Sequence, residues 1–169
     1  MPVALDSSGP HREHGQVIRE CSRSADEGQW ESERGSLVIR RPAPLICVFV
    51  EQGYLEEGFT PLILEGLERS LGRGGKPVFF VDGEKLEGYD PSIRRECTKW
   101  FSDNKSAVVA QHMLVRSRLA KMGLSVVSLM LGTVIIGHHE RVSFDAALKQ
   151  ALDAHRSGRP PRINASSAA

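Results

Sequence analysis

The chain has 169 residues, with 22 Lys and Arg against 21 Asp and Glu and a formal net charge of +1. A chain of this length fits one domain with tails and can bury a core without metal or disulfide support. The balanced charge argues against a dedicated nucleic-acid binder and against a polybasic membrane anchor.

The three cysteines form no Cys-x-x-Cys pair, and their odd number argues against a secreted disulfide framework. Residues 1–35 lack an apolar signal-peptide core, and no run approaches the roughly 18 apolar residues of a membrane span. We therefore expect a cytoplasmic protein with reduced cysteines, in which Cys47 is a core residue.

Both ends of the chain are polar. Residues 1–35 are rich in Ser, Gly, Glu and Arg, and this composition predicts a disordered arm. Residues 157–169 contain Gly, Pro, Ser and Ala and predict a disordered tail. The predicted domain is therefore 36–156.

The first predicted elements are two strands, a helix and a third strand. Residues 36–41 and 45–51 are β-rich runs separated by Pro42-Ala43-Pro44, which suits a hairpin or an edge-strand bend. Residues 59–71 have helical apolar spacing, with Pro61 in the first turn and Gly72 at the end. Residues 78–81 are continuously apolar, which is typical of a central strand covered on both faces.

The second half of the domain predicts alternating helices and strands. A helix over 90–101 has Asp90 as N-cap, Pro91 at the first helical position and an inward stripe of apolar side chains. A strand over 107–112, a helix over 113–131, a strand over 133–137 and a helix over 143–155 follow, the last opened by a Ser-x-x-Asp-like cap. The order β-β-α-β-α-β-α-β-α predicts an α/β fold with a mixed sheet of about five strands and helices packed on it. The inward stripe of the helix over 90–101 comprises Ile93, Cys97, Trp100 and Phe101.

The most informative segment is the junction between the strand at 78–81 and the helix that starts near Pro91. We interpret the residues between them as an acidic loop that places carboxylates near free backbone N–H groups at the carboxyl edge of the sheet. These acids could form an acid/base pair or a Mg²⁺ site, but a capping Asp and solvated loop acids explain the same pattern. The acids concerned are Asp82, Glu84, Glu87 and Asp90.

The sequence favours no enzyme, metal or cofactor. His138 and His139 are adjacent and would point to opposite faces of a strand, while His112 and His155 have no companion ligand at a suitable spacing. No Gly-x-Ser-x-Gly, Cys-His pair or P-loop follows a predicted strand. The glycine-rich run at 72–75 precedes a strand rather than a helix, so a helix C-cap and turn explain it better than a phosphate loop.

Residues 118–131 form the most apolar predicted helix, with large apolar side chains on more than one face. Such a helix is either deeply buried or covered by a partner protein, a second copy of the chain or an apolar ligand. Its candidate contact residues are Met122, Val126, Leu129 and Met130.

The junction resembles the STAS domain, the fold of bacterial anti-anti-sigma factors and of the cytoplasmic module of sulfate transporters. The resemblance covers about 36–155, with Asp82 at the family's first Asp and Asp90 at the second. Pro91 and Ser92 would match two serine positions, one of which is phosphorylated by a partner kinase in that family. Because Pro91 has no hydroxyl, Ser92 is the candidate phosphosite.

This chain also departs from the family pattern, because Ile93-Arg94 replaces the Gly-Leu that usually follows. The junction looks closer to a divergent STAS-like branch that is grouped with the lipid-binding SEC14 fold class. Tyr89 lies in the loop either as an exposed anchor for a partner or packed over the helix start.

From these residues and the resemblance, we expect a non-enzymatic, cytoplasmic signalling domain that docks a partner protein through residues 83–92. The partner would be a kinase-like or other signalling regulator, or a second copy of the chain, without nucleic acid or a membrane span. The alternative is a carrier of a lipid or nucleotide, with a pocket between the apolar helix and the sheet. A hydrolase or transferase would need a nucleophile–base pair, which the sequence does not show; two polar side chains that converge with His112 in a cleft would favour this reading. The predicted partner-binding residues are Asp82, Glu84, Glu87, Tyr89, Asp90, Ser92 and Arg94.

Overall fold

A computed structural model describes residues 17–116 and 134–159. Within these ranges seven strands form one sheet in the order β1-β2-β3-β4-β5-β6-β7. The strands are β1 Arg19–Arg23, β2 Glu27–Glu31, β3 Gly35–Ala43, β4 Ile46–Leu55, β5 Val78–Tyr89, β6 Ala110–Leu114 and β7 Ile135–His138. The α-helices are α1 Thr60–Leu71, α2 Pro91–Asp103 and, labelled in chain order, α3 Arg141–Arg156, and short 3-10 helices span Glu57–Phe59 and Lys105–Ala107.

The sheet is mixed, as predicted. The pairs β1–β2, β2–β3 and β3–β4 are antiparallel, and the pairs β4–β5, β5–β6 and β6–β7 are parallel. Helix α1 links β4 to β5, and α2 links β5 to β6, so these two connections are crossovers between neighbouring parallel strands. The predicted α/β class is correct, but the predicted count of about five strands is too low.

The missing strands lie in the segment predicted to be a disordered arm. That prediction is wrong for Arg19–Glu31, because β1 and β2 form a hairpin that pairs with β3. Strand β1 is exposed along its whole length, so it shows none of the apolar alternation that identifies a half-buried strand. Trp30 of β2 does enter the core, at 7% exposure, and its indole N–H donates to Glu20 at 3.2 Å. Residues 1–16 and most of the predicted C-terminal tail, 160–169, lie outside the described residues.

The core lies on both faces of the sheet. One face packs under α1 and α2, and the other packs under α3. Neighbouring residues Phe79 and Phe80 point to opposite faces: Phe79 contacts Trp100 with ring centroids 5.9 Å apart, and Phe80 contacts Phe144 at 5.7 Å. The prediction of a central strand at 78–81 is therefore confirmed. Cys47 is buried in the core, as expected.

The helix starts show which local signals were reliable. Pro61 lies in the first turn of α1, and Pro91 lies at the first position of α2, as predicted. Asp90 occupies the predicted N-cap position, but its side chain makes no capping hydrogen bond. Helix α3 begins two residues earlier than the predicted Ser143, with Glu140 at the N-cap position, and the Ser143 hydroxyl donates to the Glu140 carbonyl at 3.0 Å. The expected Ser cap is therefore wrong.

The predicted helix over 113–131 is wrong at its start, which belongs to a strand. Met113 and Leu114 belong to β6, and residues 117–133 lie outside the described part of the chain, together with the carrier pocket proposed beside them. Among the helices in the described ranges, none has the length and apolar character needed to cross a membrane. The four predicted contact residues in the undescribed segment are Met122, Val126, Leu129 and Met130.

Candidate functional site

The segment predicted to be an acidic loop is a strand. Strand β5 runs without interruption from Val78 to Tyr89, so the prediction of a loop after Asp82 is wrong. It pairs with β6 only as far as Asp82, opposite Leu114, but it pairs with β4 to its end, where Tyr89 lies opposite Leu55. We call residues 83–89 the outer half of β5. Within the described residues, β4 is the only strand beside this half.

Irregular pairing allows β4 and β5 to continue together. The register shifts between Val50 and Gln52 and again between Gly53 and Tyr54. Gly53 has a φ of 67°, a left-handed conformation that glycine adopts without a side-chain clash, and an added Cβ there would lie 2.3 Å from the Arg34 carbonyl oxygen. The bulged strand can therefore bend while its pairing with β5 continues.

The outer half of β5 presents alternate side chains to solvent. Lys85, Glu87 and Tyr89 are exposed, whereas Leu86 between them is partly buried against the core. Tyr89 is 41% exposed, so it is not packed away over the helix start. This period of two is the sequence signal that could have identified a strand here, had the acidic residues not suggested a loop.

Asp82 and Glu84 are held together by Arg141 at the start of α3, a residue that the sequence analysis missed. The Arg141 guanidinium donates to both Asp82 carboxylate oxygens, at 2.7 and 2.9 Å, and its Nε donates to Glu84 at 3.2 Å. These bonds raise the pKa of Arg141 above its ordinary value. Both carboxylates thus share one cation, and these charge-assisted contacts join β5 to α3.

A second ionisable group near this junction is Glu51 of β4, which the sequence analysis also missed. Glu51 is partly buried, and this burial raises its pKa to about 7, with the negative charge of Asp82 acting in the same direction. Burial likewise raises the pKa of the nearby Cys97 thiol to about 12. Cys97 is therefore an unreactive, neutral thiol at ordinary pH.

Asp90 connects three elements rather than capping its own helix. Its side chain makes no hydrogen bond to the first turn of α2. Instead, one carboxylate oxygen accepts from the Tyr54 hydroxyl at 2.8 Å, and the other accepts from the Glu57 backbone N–H at 2.6 Å. The Arg34 guanidinium lies over the Tyr54 ring, 4.0 Å from its centre. Asp90 thus holds the end of β4 against the start of α2.

The two remaining predicted site residues lie in the first turn of α2 with different accessibility. Arg94 is exposed. The Ser92 hydroxyl oxygen is out of contact with solvent and has no hydrogen-bond partner among the described residues. A kinase could reach this oxygen only after it turns outward, so phosphorylation of Ser92 stays a prediction.

The structure brings together polar side chains around His112, which the sequence could not place. His112 Nδ1 lies 2.9 Å from His138 Nε2, and His138 Nδ1 lies 3.0 Å from the Ser143 hydroxyl. This row of three polar side chains runs from the sheet to α3, beside the aromatic rings of Phe80 and Phe144. Burial lowers the pKa of His112 to about 4. This arrangement joins α3 to the sheet, with His138 itself buried.

The part of the chain that the structure describes shows no metal cluster beside these groups. In the described ranges, no set of three or more His, Cys, Asp or Glu side chains is arranged to hold an ion. The acidic side chains of the junction are instead distributed between Arg141 and the Asp90 contacts.

The fold is similar to that of an uncharacterized protein from the DUF3478 family with a SpoIIAA-like fold, from Shewanella loihica PV-4. The two share 13% sequence identity with a TM-score of 0.54, and the similarity covers 74% of this chain and 97% of the other. No family model matches the sequence, and neither does any curated protein. The protein therefore has a SpoIIAA-like, and so STAS-like, fold, as the sequence resemblance implied.

Proposed function

We propose that this protein is a non-enzymatic regulatory domain of STAS type that binds a signalling protein along the outer half of β5 and the start of α2. The observation that supports this most is the extension of β5 beyond the end of β6. In the described part of the chain no strand covers that second edge of β5. A strand edge of this kind is a ready template for an added strand from another protein.

Side chains on this surface supply selectivity. Tyr89 is a suitable anchor, because an exposed aromatic ring offers a large contact area and has few torsions to restrict on binding. Lys85 and Glu87 present opposite charges beside it, and Arg94 adds a cation at the start of α2. Such a pattern selects a partner with complementary charges and aligns it along the strand.

The internal contacts make this surface rigid before a partner arrives. Arg141 fixes Asp82 and Glu84 at one end of the outer half, and the Asp90 carboxylate fixes the other end. A preformed surface loses less conformational entropy on binding. In this proposal Asp82, Glu84 and Asp90 are positioning residues, and Glu87, Tyr89 and Arg94 contact the partner.

Affinity purification of the full chain from its own cells tests the proposal. We expect wild type to retain a partner that Tyr89→Ala and the charge reversal Glu87→Lys both lose. The matched control is Lys149→Glu, a charge reversal on α3 at a side chain that is 79% exposed. If all variants recover the same partner in equal amount, the outer half of β5 is not the docking surface.

Phosphorylation of Ser92 is a separate part of this proposal. A phosphate at the start of α2 would be favoured by the free N–H groups and the helix dipole. Mass spectrometry of protein isolated under several growth conditions should detect the modified peptide. Its absence under every condition would remove the switch while leaving the docking surface untouched.

A further inference from the structure

The outer half of β5 has one free edge in the described part of the sheet, because β6 pairs with β5 only as far as Asp82. Residues 83–89 extend over roughly 20 Å. The backbone N–H and C=O groups on this edge can pair with a strand from another chain. Which strand fits depends on the side chains that lie opposite each other across the new pair.

The charges at the centre of this edge are self-complementary. Lys85 and Glu87 are exposed and flank Leu86. In an antiparallel pair, the complementary strand has a base opposite Glu87, an apolar residue opposite Leu86 and an acid opposite Lys85. Read in its own direction, that strand is again Lys-Leu-Glu. A second copy of this chain therefore supplies the complement.

Charge also selects one register for such a pair. A two-fold axis perpendicular to the sheet keeps every side chain on its own face, so one residue must lie on the axis opposite its own copy. With Leu86 on the axis, Lys85 of each copy lies opposite Glu87 of the other, which gives two favourable pairs. With Lys85 or Glu87 on the axis instead, like charges lie opposite each other, which is destabilising.

The ends of the register centred on Leu86 also fit. Tyr89 lies opposite Gly83 of the second copy, and an aromatic ring can cover the backbone of a glycine across a strand pair. Glu84, which Arg141 already holds, lies opposite Gly88 and so meets no like charge. Across residues 83–89, this register therefore places no like charges directly opposite each other.

We propose that two copies of the chain pair antiparallel through residues 83–89 and form a two-fold symmetric dimer with a continuous sheet. The proposal rests on the same free edge as the proposed function, and it adds a form of regulation: a signalling partner that uses this edge must displace the second copy. Because one short strand pair buries little surface, the dimer is weak and dissociates on dilution.

Sedimentation equilibrium of the full chain over a range of concentrations tests the dimer. We expect a reversible equilibrium between monomer and dimer. Lys85→Glu and Glu87→Lys should each weaken self-association at least about tenfold, because both central cross-strand pairs then carry like charges. The matched control is Lys149→Glu, a charge reversal at an exposed position of α3, which should associate like wild type. A wild type that stays monomeric at its highest soluble concentration, or equal losses in all three variants, would overturn the proposal.

Charge exchange tests the register. An equimolar mixture of the Lys85→Glu and Glu87→Lys proteins should form a heterodimer, since the acids of one copy then lie opposite the bases of the other. The double variant Lys85→Glu/Glu87→Lys should dimerise like wild type, because Glu-Leu-Lys is also its own antiparallel complement. If neither the mixture nor the double variant restores association, the pairing centred on Leu86 is wrong.

Hydrogen exchange of the backbone amides of residues 83–89 identifies what covers the edge. We expect protection that rises with protein concentration in wild type and is reduced in Glu87→Lys. Protection in a protein that remains monomeric would show that another segment of the chain covers the edge, and would overturn the dimer. The proposed function is judged separately, by affinity purification. A dimer that recovers no signalling partner contradicts only that function, and a monomer that recovers one contradicts only the dimer.

Discussion

The two halves of β5 belong to one strand but have different surroundings. Residues 78–81 are buried on both faces, between β4 and β6. The outer half alternates exposed and partly buried residues and has only β4 beside it in the described part of the sheet. Because of this difference, we expect substitutions in the inner half to lower the stability of the fold. Substitutions at exposed positions of the outer half should leave stability almost unchanged.

The largest expected effect tests the inner half. Phe80→Ala removes a fully buried ring that contacts Phe144 and stacks on His112, and we expect it to lower the free energy of unfolding by about 3–5 kcal/mol. Urea denaturation measures this change. The matched substitution in the outer half, Lys85→Ala, should stay within about 0.5 kcal/mol. A comparable loss in both variants would contradict the division of β5.

The next prediction concerns how protein stability depends on pH through Glu51 of β4, near Asp82 at the boundary between the halves of β5. The folded state raises the pKa of Glu51 from 4.5 to about 7, so it favours the neutral carboxyl. The resulting stability is fully present below pH 4.5 and is lost as pH rises through about 7, by up to about 3 kcal/mol. His112 acts in the opposite sense: its lowered pKa gives stability above pH 6.5 that is lost as pH falls toward about 4.

A comparison of wild type with Glu51→Gln isolates the Glu51 contribution, because the effect of His112 is common to both. Urea denaturation at about pH 5 and about pH 8 should show a smaller loss of stability on raising the pH in Glu51→Gln. The exposed Glu87→Gln is the control and should keep the wild-type dependence. Identical dependence in all three proteins would show that Glu51 titrates normally.

A smaller effect is expected from the contact that anchors the outer half to α3. Arg141→Met leaves Asp82 and Glu84 without their shared cation, and we expect a loss of about 1–2 kcal/mol, reduced by the partial exposure of the guanidinium. Thermal or urea unfolding measures it. Lys149→Met, which removes an exposed cation from the same helix, should leave the unfolding midpoint unchanged. If the two variants behave alike, the Arg141 contacts contribute nothing measurable.

The smallest effect should come from the far end of the outer half. Asp90→Ala removes the acceptors for the Tyr54 hydroxyl and the Glu57 N–H, and we expect a loss of about 1 kcal/mol. Hydrogen exchange of the Glu57 amide should accelerate as well. Asp90→Asn, which keeps an oxygen acceptor, should restore part of the protection; an unchanged Glu57 exchange rate in Asp90→Ala would contradict this role.

The sequence predicted those features that depend on neighbouring residues. The apolar run at 78–81 indicated a central strand, and Pro61 and Pro91 marked the starts of two helices. It failed for Arg19–Glu31, where polar edge strands are stabilised by pairing with β3 rather than by their own apolar side chains. It also failed at 83–89, where acidic residues resemble a loop until the parallel partner β4 is known.

Local patterns were thus enough to predict the α/β class, the inner half of β5 and a helix that starts after Asp90, because apolar periodicity and the placement of proline are local properties of the chain. Which charges meet depends instead on the tertiary fold. Arg141 reaches Asp82 across 59 positions of sequence, and Arg41 is buried against the Gly66 carbonyl without a carboxylate partner. Such pairings depend on which strands and helices become neighbours, and the residues involved carry no local signal of it.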